Sequence, residues 1–297
     1  MIWVNSMLDL ILYFFFMIIY FLINIIPGGY RLGRGLGILI YSLLKDRREI
    51  TINNLRLVFG DELSDREITA LCKEVYRQLG ITLIEFIKLK KLQKEDIGKL
   101  IELEGVEHLE EAYARGRGVI IYSAHFGNWE WLGSAISLAG YPVNAIARTQ
   151  NNLHFDKKIN EIRTSKGVNI IPRGMSVRRA ITALRKGEIL FILGDQNGRK
   201  NGWIIDFYGK PASTYPGAVQ LAQRTGALVL PAYLIRKEPG SFKLKFFPYY
   251  DIPHGASEDE QRDYLIKLTE NMEEVIRQYP EQWLWLHRRW DLSHIGG

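Results

Sequence analysis

The stretch from Gly118 to Trp131, GVIIYSAHFGNWEW, decides the fold of this chain. Its apolar first half is typical of a buried strand that ends near Ala124, and Asn128 is a residue type that commonly caps a helix. A strand, a tight turn and a helix form the repeating unit of α/β proteins, in which ligand sites lie at such turns. We therefore predict an α/β fold with a functional site where this strand ends.

Four similar apolar runs follow along the chain: PVNAIA, GVNII, EILFILG and GALVLPAYL. The segments that separate them predict helices over 129–139, 153–166, 176–186 and 216–225. Because the runs are apolar at nearly every position, we expect a central, mostly parallel sheet flanked by helices that cover both faces. The later stretch FKLKFF alternates apolar and polar residues, which predicts an edge strand.

The residues before about position 100 are predicted to be mostly helical. Ser64 with Glu67, and Ser257 with Glu260, form the capping-box pattern that starts a helix. We see no repeat, low-complexity tract or linker in the sequence. Residues 31–297 are therefore predicted to form one α/β domain.

An apolar run of 20 residues from Met7 to Ile26 contains a single charge, Asp9. A helix of this length spans roughly 30 Å, one hydrocarbon thickness. No cation precedes the run and no small-residue cleavage site follows it, so we predict an uncleaved membrane anchor over residues 1–30. The cations that follow predict that the rest of the chain lies on the cytoplasmic side of that membrane. A buried core helix is the alternative.

The composition narrows the choice of partners. The chain has 297 residues, 47% of them hydrophobic, with 39 Lys and Arg against 33 Asp and Glu and a net charge of +6. A modest positive charge favours an acidic partner such as an anionic lipid or an acidic carrier protein. We find no motif for nucleic-acid binding. The single cysteine, Cys72, excludes an intramolecular disulfide, and no histidine spacing predicts a metal site.

His125 and Glu130 lie on the predicted strand-to-helix turn. A turn through Gly127 brings residues five positions apart onto the same side, which a continuous helix does not. Glu130 falls in the first helical turn, where the helix dipole favours its charged form. A carboxylate bonded to one imidazole nitrogen leaves the other free to accept a proton. A structural histidine beside a helix start is the alternative.

HFGNWE resembles the H-x4-D/E motif of glycerolipid-type acyltransferases. Further stretches resemble, in the same order, blocks of the bacterial lipid A biosynthesis acyltransferases that add lauroyl or myristoyl chains. These are DRREITINNLRLVFGDELSDREI from Asp46, RTQNN from Arg148, GDQNG from Gly194, DFYGKPASTYPGAVQLAQRTGALVLPAY from Asp206 and PEQWLWLHRRW from Pro280. The resemblance covers nearly the whole chain.

The resemblance implies a mechanism for this pair of residues. His125 takes a proton from an acceptor hydroxyl as general base, and Glu130 orients it. The hydroxyl then attacks the thioester of an acyl carrier without an acyl-enzyme intermediate and without a cofactor or metal. The sequence agrees, because it contains neither a G-x-S-x-G elbow nor a cysteine beside the motif.

Four further residues are candidates for substrate binding. Arg148 follows a predicted strand and is suited to a phosphate of the acceptor, the carrier arm or the oxyanion; a surface salt bridge is the alternative. Asp195 and Gln196 follow another strand and are placed to contact the acceptor or His125, or to cap a helix. Arg173 is a weaker candidate, for which a solvated loop charge is the alternative.

These observations predict a membrane-associated acyltransferase. It moves a fatty acyl chain from acyl carrier protein to a hydroxyl of a lipid A precursor. Because family members differ in donor and acceptor, the alternative within enzymes is acyl-CoA-dependent acylation of another glycolipid, such as a phosphatidylinositol mannoside. A catalytically silent membrane module that binds glycolipid is the alternative from another class.

Overall fold

The computed structural model describes residues 2–25, 29–172, 176–238 and 240–294. The helices of these residues are α1 (Ile2–Ile25), α2 (Tyr30–Leu43), α3 (Lys45–Phe59), α4 (Asp65–Lys88), α5 (Lys94–Leu100), α6 (Val106–Ala114), α7 (Trp129–Leu138), α8 (Leu153–Thr164), α9 (Ser176–Arg185), α10 (Gly217–Thr225) and α11 (Glu258–Gln278). The strands are β1 (Ile101–Glu104), β2 (Val119–Ser123), β3 (Val143–Ala147), β4 (Asn169–Pro172), β5 (Ile189–Leu193), β6 (Trp203–Phe207), β7 (Lys210–Thr214), β8 (Leu228–Glu238) and β9 (Ser241–Phe246).

A seven-stranded sheet forms the centre, in the order β1-β9-β8-β2-β5-β3-β4. Every neighbouring pair is parallel except β8 and β9, which are antiparallel. Strands β6 and β7 form a separate antiparallel hairpin. The predicted α/β fold with a mostly parallel central sheet is confirmed.

Helices cover both faces of the sheet. All five residues of β2 are buried, and successive side chains join different hydrophobic clusters: Ile120 and Tyr122 one, Val119 and Ile121 the other. This alternation follows from the two-residue period of a strand. Continuous apolar runs therefore mark strands whose two faces are both covered, as the sequence predicts.

The helices begin close to their predicted positions. The capping boxes of α4 and α11 are both present: Ser64 Oγ accepts from the Glu67 amide at 3.4 Å, and Ser257 Oγ from the Glu260 amide at 3.2 Å. Asn128 caps α7 by accepting from the Trp131 amide at 3.0 Å. Local sequence thus fixes where these helices start.

The prediction that FKLKFF is an edge strand is wrong. The strand β9 lies inside the sheet, between β1 and β8. Lys243 Nζ lies 2.7 Å from Glu104 Oε2 of the short edge strand, and Lys245 Nζ lies 2.8 Å from Glu274 Oε1 of α11. Cross-strand pairing of opposite charges produces the same alternating pattern as exposure to water does.

The amino-terminal segment differs from the predicted anchor. A helix does form there, α1, but among the residues that the structure describes no helix is long and apolar enough to cross a membrane. Part of the predicted anchor, positions 1 and 26–28, lies outside the described residues. The transmembrane prediction is corrected accordingly.

Helix α2 packs closely on α4 through glycines. A Cβ atom at Gly37 would lie 2.1 Å from the carbonyl oxygen of Tyr76, and one at Gly80 would lie 2.1 Å from that of Gly33. Any larger residue would push the two backbones apart. These contacts fix α4, which runs on toward the carboxyl end of β2.

Candidate active site

The register of the central strands brings two distant residues together. Strands β2 and β5 are parallel neighbours in which Ser123 pairs with Leu193. His125 and Asp195 each lie two residues beyond these partners, at the carboxyl edge of the sheet. Open α/β sheets place their ligand sites at this edge, because strand ends and following turns meet there.

Asp195 holds His125 through two contacts. The Nδ1 atom of His125 lies 2.8 Å from Oδ1 of Asp195, and the backbone amide of His125 donates to Oδ2 at 3.0 Å. The Asp195 side chain is fully buried, whereas that of His125 is 20% exposed. A carboxylate at Nδ1 makes this nitrogen the proton donor and leaves Nε2 as the acceptor.

Charge and burial act in opposite directions on this pair. Burial would lower the pKa of His125, but the charge of Asp195 and its hydrogen bond outweigh burial, and the pKa rises above its ordinary value. Burial would raise the pKa of Asp195, but the His125 charge and hydrogen bonds keep it well below its ordinary value. Asp195 is therefore ionised, and the imidazole is a stronger base than a free histidine.

Residues from the carboxyl-terminal segment fix Asp195 in place. The indole Nε1 of Trp283 donates to Asp195 Oδ2 at 3.0 Å, and His287 Nε2 lies 3.3 Å from the Asp195 carbonyl oxygen. Burial lowers the pKa of His287 to about 4, so this second histidine is neutral. In the described part of the chain, no three side chains of His, Cys, Asp or Glu are grouped to hold a metal ion.

Glu130 does not occupy the orienting position that the sequence predicts for it. Both of its carboxylate oxygens bind Arg163 of α8: Nε lies 3.0 Å from Oε2, and Nη2 lies 2.6 Å from Oε1. Asp195 occupies that position instead, because β5 lies directly beside β2. The charge of Glu130 still acts on the site, since it contributes to the raised pKa of His125.

The turn that carries His125 depends on Gly127. This glycine has φ of 55°, and a Cβ atom would lie 1.9 Å from the Leu234 carbonyl oxygen. The Gly127 amide donates to the Gln282 carbonyl oxygen at 2.9 Å, and the Asn128 amide donates to that of Leu234 at 3.3 Å. The His125 amide donates to Asp195, so the backbone amides of His125, Gly127 and Asn128 all have acceptors. An oxyanion at this turn therefore needs other donors.

The other predicted binding residues are distributed along this edge. Gln196 is exposed and directly follows Asp195. Arg148 is exposed at the end of β3, where it lines a surface depression of about 360 Å³. The depression is otherwise lined by Gln150, Asn151, Asn152, Phe155 and Ile159. Arg173 lies outside the described residues.

Sequence reasoning missed Arg163, Trp283 and His287 as parts of the site. Trp283 and Trp285 of the segment WLWLHRRW are both buried, as in an ordinary hydrophobic core. A tryptophan and a histidine four residues apart give no sign of a shared acidic partner. Only the contact between this segment and the end of β5 reveals their role.

Comparisons with known proteins show the family to which the chain belongs. The family model described as bacterial lipid A biosynthesis acyltransferase matches residues 3–291. The lipid A biosynthesis palmitoleoyltransferase of Escherichia coli (strain K12) is 29% identical over 270 residues, 89% of this chain and 85% of that protein. The lipid A biosynthesis lauroyltransferase of the same strain is 28% identical over 266 residues, with the same coverage.

Two more distant proteins are also similar. A phosphatidylinositol mannoside acyltransferase of Mycobacterium tuberculosis (strain ATCC 25618 / H37Rv) is 22% identical over 217 residues, 70% of this chain and 67% of that protein. The crystal structure of the 1-acyl-sn-glycerophosphate acyltransferase PlsC from Thermotoga maritima aligns with a TM-score of 0.39 and 17% identity. That alignment covers 84% of this chain and 97% of the PlsC chain.

The family model and the two Escherichia coli relatives show that the chain is an acyltransferase. Within that class, the chain belongs to the bacterial lipid A biosynthesis acyltransferase family. The resemblance inferred from the ordered sequence blocks is confirmed.

Proposed function

We propose that the protein transfers a fatty acyl chain from acyl carrier protein to a hydroxyl of a lipid A precursor, with His125 as general base. The observation that carries this proposal is the His125–Asp195 pair, which makes Nε2 of His125 the unprotonated nitrogen at the sheet edge. The acceptor oxygen forms a bond to the thioester carbonyl carbon as its proton passes to Nε2. The carbon–sulfur bond then breaks, and the thiolate takes the proton from His125.

In this mechanism Asp195 is the orienting acid and Glu130 acts through Arg163. Asp195 stabilises the imidazolium that forms during attack. Arg163 is the cation whose charge acts on His125, and its guanidinium is fixed by Glu130 through two bonds. We infer that Arg163 counters the charge of the tetrahedral oxyanion, since the amides of the turn are occupied.

Two neighbouring depressions, one polar and one apolar, support a phosphorylated lipid as acceptor. The polar one contains Arg148 and is suited to a phosphate or a sugar. An apolar depression of about 430 Å³ lies on α1, lined by Met7, Leu10, Tyr13, Phe14 and Met17. The two share a wall, because the rings of Tyr13 and Phe155 are 6.0 Å apart between centroids. Gln196 is placed to bind the acceptor near His125, and Arg173 remains a prediction.

Basic residues on α9 support an acidic carrier protein as donor. Arg178 and Arg179 are exposed in the first half of the helix, and Arg185 and Lys186 are exposed at its end. A cluster of one charge steers an oppositely charged protein toward its binding site. We therefore propose acyl carrier protein, rather than acyl-CoA, as the donor.

Exposed apolar residues support attachment to a bilayer surface. On α1, Phe14 and Phe21 are each 64% exposed, and on α2, Leu39 is 54% and Leu43 is 68% exposed. An apolar helix face of this kind lies in the interface between headgroups and acyl chains. We propose that the protein binds the inner membrane from the cytoplasmic side, where a lipid acceptor would reach the site.

Two alternatives remain to be tested. Acyl-CoA-dependent acylation of a phosphatidylinositol mannoside is supported by the name of the mycobacterial relative. A silent glycolipid-binding module is disfavoured by the free Nε2 atom of His125 and its ionised partner.

One assay separates these functions. Purified protein is incubated with acyl carrier protein or CoA thioesters and with a lipid A precursor or a phosphatidylinositol mannoside, and the products are weighed by mass spectrometry. We expect one added acyl chain on the lipid A precursor with the carrier protein as donor. His125→Ala should remain folded and lose about 10²- to 10⁴-fold in rate. Product only from the mannoside would favour the first alternative, and binding without any product would favour the second.

A further inference from the structure

We propose that the buried ion pair of Glu85 and Arg236 is a positioning element that holds the turn carrying His125 in its catalytic geometry. The proposal rests on the general-base role of His125. It concerns residues outside every sequence motif described above, one on the amino-terminal helical segment and one on the central sheet.

The ion pair is closely fitted and shielded from water. Arg236 on β8 has a side chain 2% exposed, and Glu85 on α4 one that is 12% exposed. Arg236 Nε lies 3.0 Å from Glu85 Oε1, and Nη2 lies 2.5 Å from Oε2. Two more residues of α4 complete the set: Gln78 Oε1 accepts from Nη1 at 2.8 Å, and Thr82 Oγ1 accepts from Nη2 at 2.9 Å. A guanidinium bonded on all sides has one geometry.

The same groups bind the catalytic turn. Glu85 Oε2 accepts from Asn128 Nδ2 at 2.7 Å, and the Glu85 carbonyl oxygen accepts from the Trp131 indole at 3.0 Å. Thr82 Oγ1 donates to the Gly127 carbonyl oxygen at 2.9 Å. Three hydrogen bonds thus tie α4 to the turn and to the start of α7, two to six residues after His125.

The backbone of Arg236 extends the support to the carboxyl-terminal segment. The side chain of Gln282 accepts from the Arg236 amide and donates to its carbonyl oxygen, both at 2.8 Å. The Gln282 carbonyl oxygen accepts from the Gly127 amide at 2.9 Å. One residue further on, Trp283 holds Asp195. The network therefore supports both sides of the His125–Asp195 hydrogen bond.

This arrangement implies a consequence for catalysis beyond stability. If the turn shifts, the Nδ1–Oδ1 distance lengthens, and His125 loses the interaction that raises its pKa. A displacement of about 1 Å in a catalytic group costs on the order of 10²-fold in rate. If the Glu85–Arg236 pair were purely structural, its loss would lower the melting temperature but leave each folded molecule as active as the wild type.

The test is Glu85→Gln, which leaves the shape of the side chain but places an amide opposite the amide of Asn128. The matched control is Glu188→Gln. Glu188 accepts from Asn144 at 2.8 Å in the same type of contact, but at the amino ends of β3 and β5, away from His125. Both variants are measured for melting temperature, kcat, KM and the pH dependence of kcat, and NMR titration gives the pKa of His125 directly.

We expect Glu85→Gln to reduce kcat by about 10- to 100-fold with little change in KM, and to lower the pKa of His125. Adding Asn128→Asp should restore part of the rate, because a carboxylate then accepts from the new amide. Glu188→Gln should leave kcat and the His125 pKa unchanged. If Glu85→Gln folds poorly, Thr82→Val serves instead, since it removes the bond to Gly127 and retains the side-chain shape.

An unchanged kcat per folded molecule and an unchanged His125 pKa in Glu85→Gln and Thr82→Val would overturn the proposal, as would no recovery in the double variant. The NMR titration does not depend on substrate. A wild-type protein that is inactive with every substrate, but whose His125 pKa falls on Glu85→Gln, would refute the proposed function and support the positioning role.

Discussion

His125 Nδ1 lies 2.8 Å from Asp195 Oδ1, although 70 positions separate the two residues in the sequence. The contact arises from the adjacency of β2 and β5, whose paired ends leave both residues at the same level of the sheet. A buried, ionised partner makes the histidine basic and fixes its tautomer. The His125–Asp195 pair is therefore built from two strands, and Glu130 of the local motif belongs to a neighbouring ion pair with Arg163.

Asp195→Asn should reduce kcat by about 10²- to 10⁴-fold, because an amide neither fixes the productive tautomer nor stabilises the imidazolium. The pH profile should also move. Activity requires neutral His125, which is present above its pKa, and the Asp195 charge raises that pKa. The acid limb of kcat should therefore lie at lower pH in the variant. A limb that stays in place would contradict the assignment of Asp195 as the partner of His125.

Glu130→Gln should reduce activity less than Asp195→Asn, because the bond between His125 and Asp195 remains. The variant loses the charged half of the ion pair with Arg163, which frees the guanidinium to move. Glu161→Gln is the control, since Glu161 is an exposed acid on the same helix as Arg163 and pairs with Lys90. Single-turnover rates of Glu130→Gln, Asp195→Asn and Glu161→Gln measure these differences. A loss in Glu130→Gln equal to that of His125→Ala would instead give Glu130 an equal catalytic role.

Gly127→Ala should abolish most activity and destabilise the fold, because the new methyl group meets the Leu234 carbonyl oxygen. Gly116→Ala is the control: Gly116 also has positive φ, 66°, but nothing lies within 4 Å of a Cβ atom there. Both changes carry the strain of a left-handed residue, and only the first adds a clash of about 1–3 kcal/mol. Urea denaturation measures the difference, and equal losses of stability would exclude the clash.

Transfer from acyl carrier protein should slow as salt increases. The exposed cations on α9 attract an acidic protein, and dissolved ions screen this attraction. Arg178→Glu with Arg179→Glu should raise KM for the carrier protein and have a weaker effect on any acyl-CoA reaction. Lys157→Glu with Lys267→Glu, at exposed positions on α8 and α11, is the charge-matched control. Equal salt dependence for both donors would show that α9 does not select the donor.

Leu39→Glu with Leu43→Glu should weaken binding to vesicles that contain anionic lipid, because each change places a charge on the apolar face of α2. Leu103→Glu is the control, since Leu103 is 47% exposed on the edge strand β1. Co-sedimentation with vesicles measures the bound fraction. Equal binding by the two variants and the wild type would remove α2 from the proposed membrane surface.

The sequence by itself determined the elements of this protein. Apolar runs identified the strands, capping boxes at Ser64 and Ser257 identified helix starts, and Gly127 with Asn128 identified the turn that carries His125. Each of these signals is local, since it depends on hydrogen bonds and side chains within a few residues.

Only the tertiary structure decided which residues meet. Strand order brings Asp195 into contact with His125, whereas Glu130 binds Arg163. It also places β9 inside the sheet, although its sequence alternates as that of an edge strand does. The Glu85–Arg236 pair spans 151 positions and has no sequence motif. A residue's sequence neighbours set its backbone conformation, but the partner of a buried charge is set by whichever strand or helix packs beside it, because burial makes that contact obligatory.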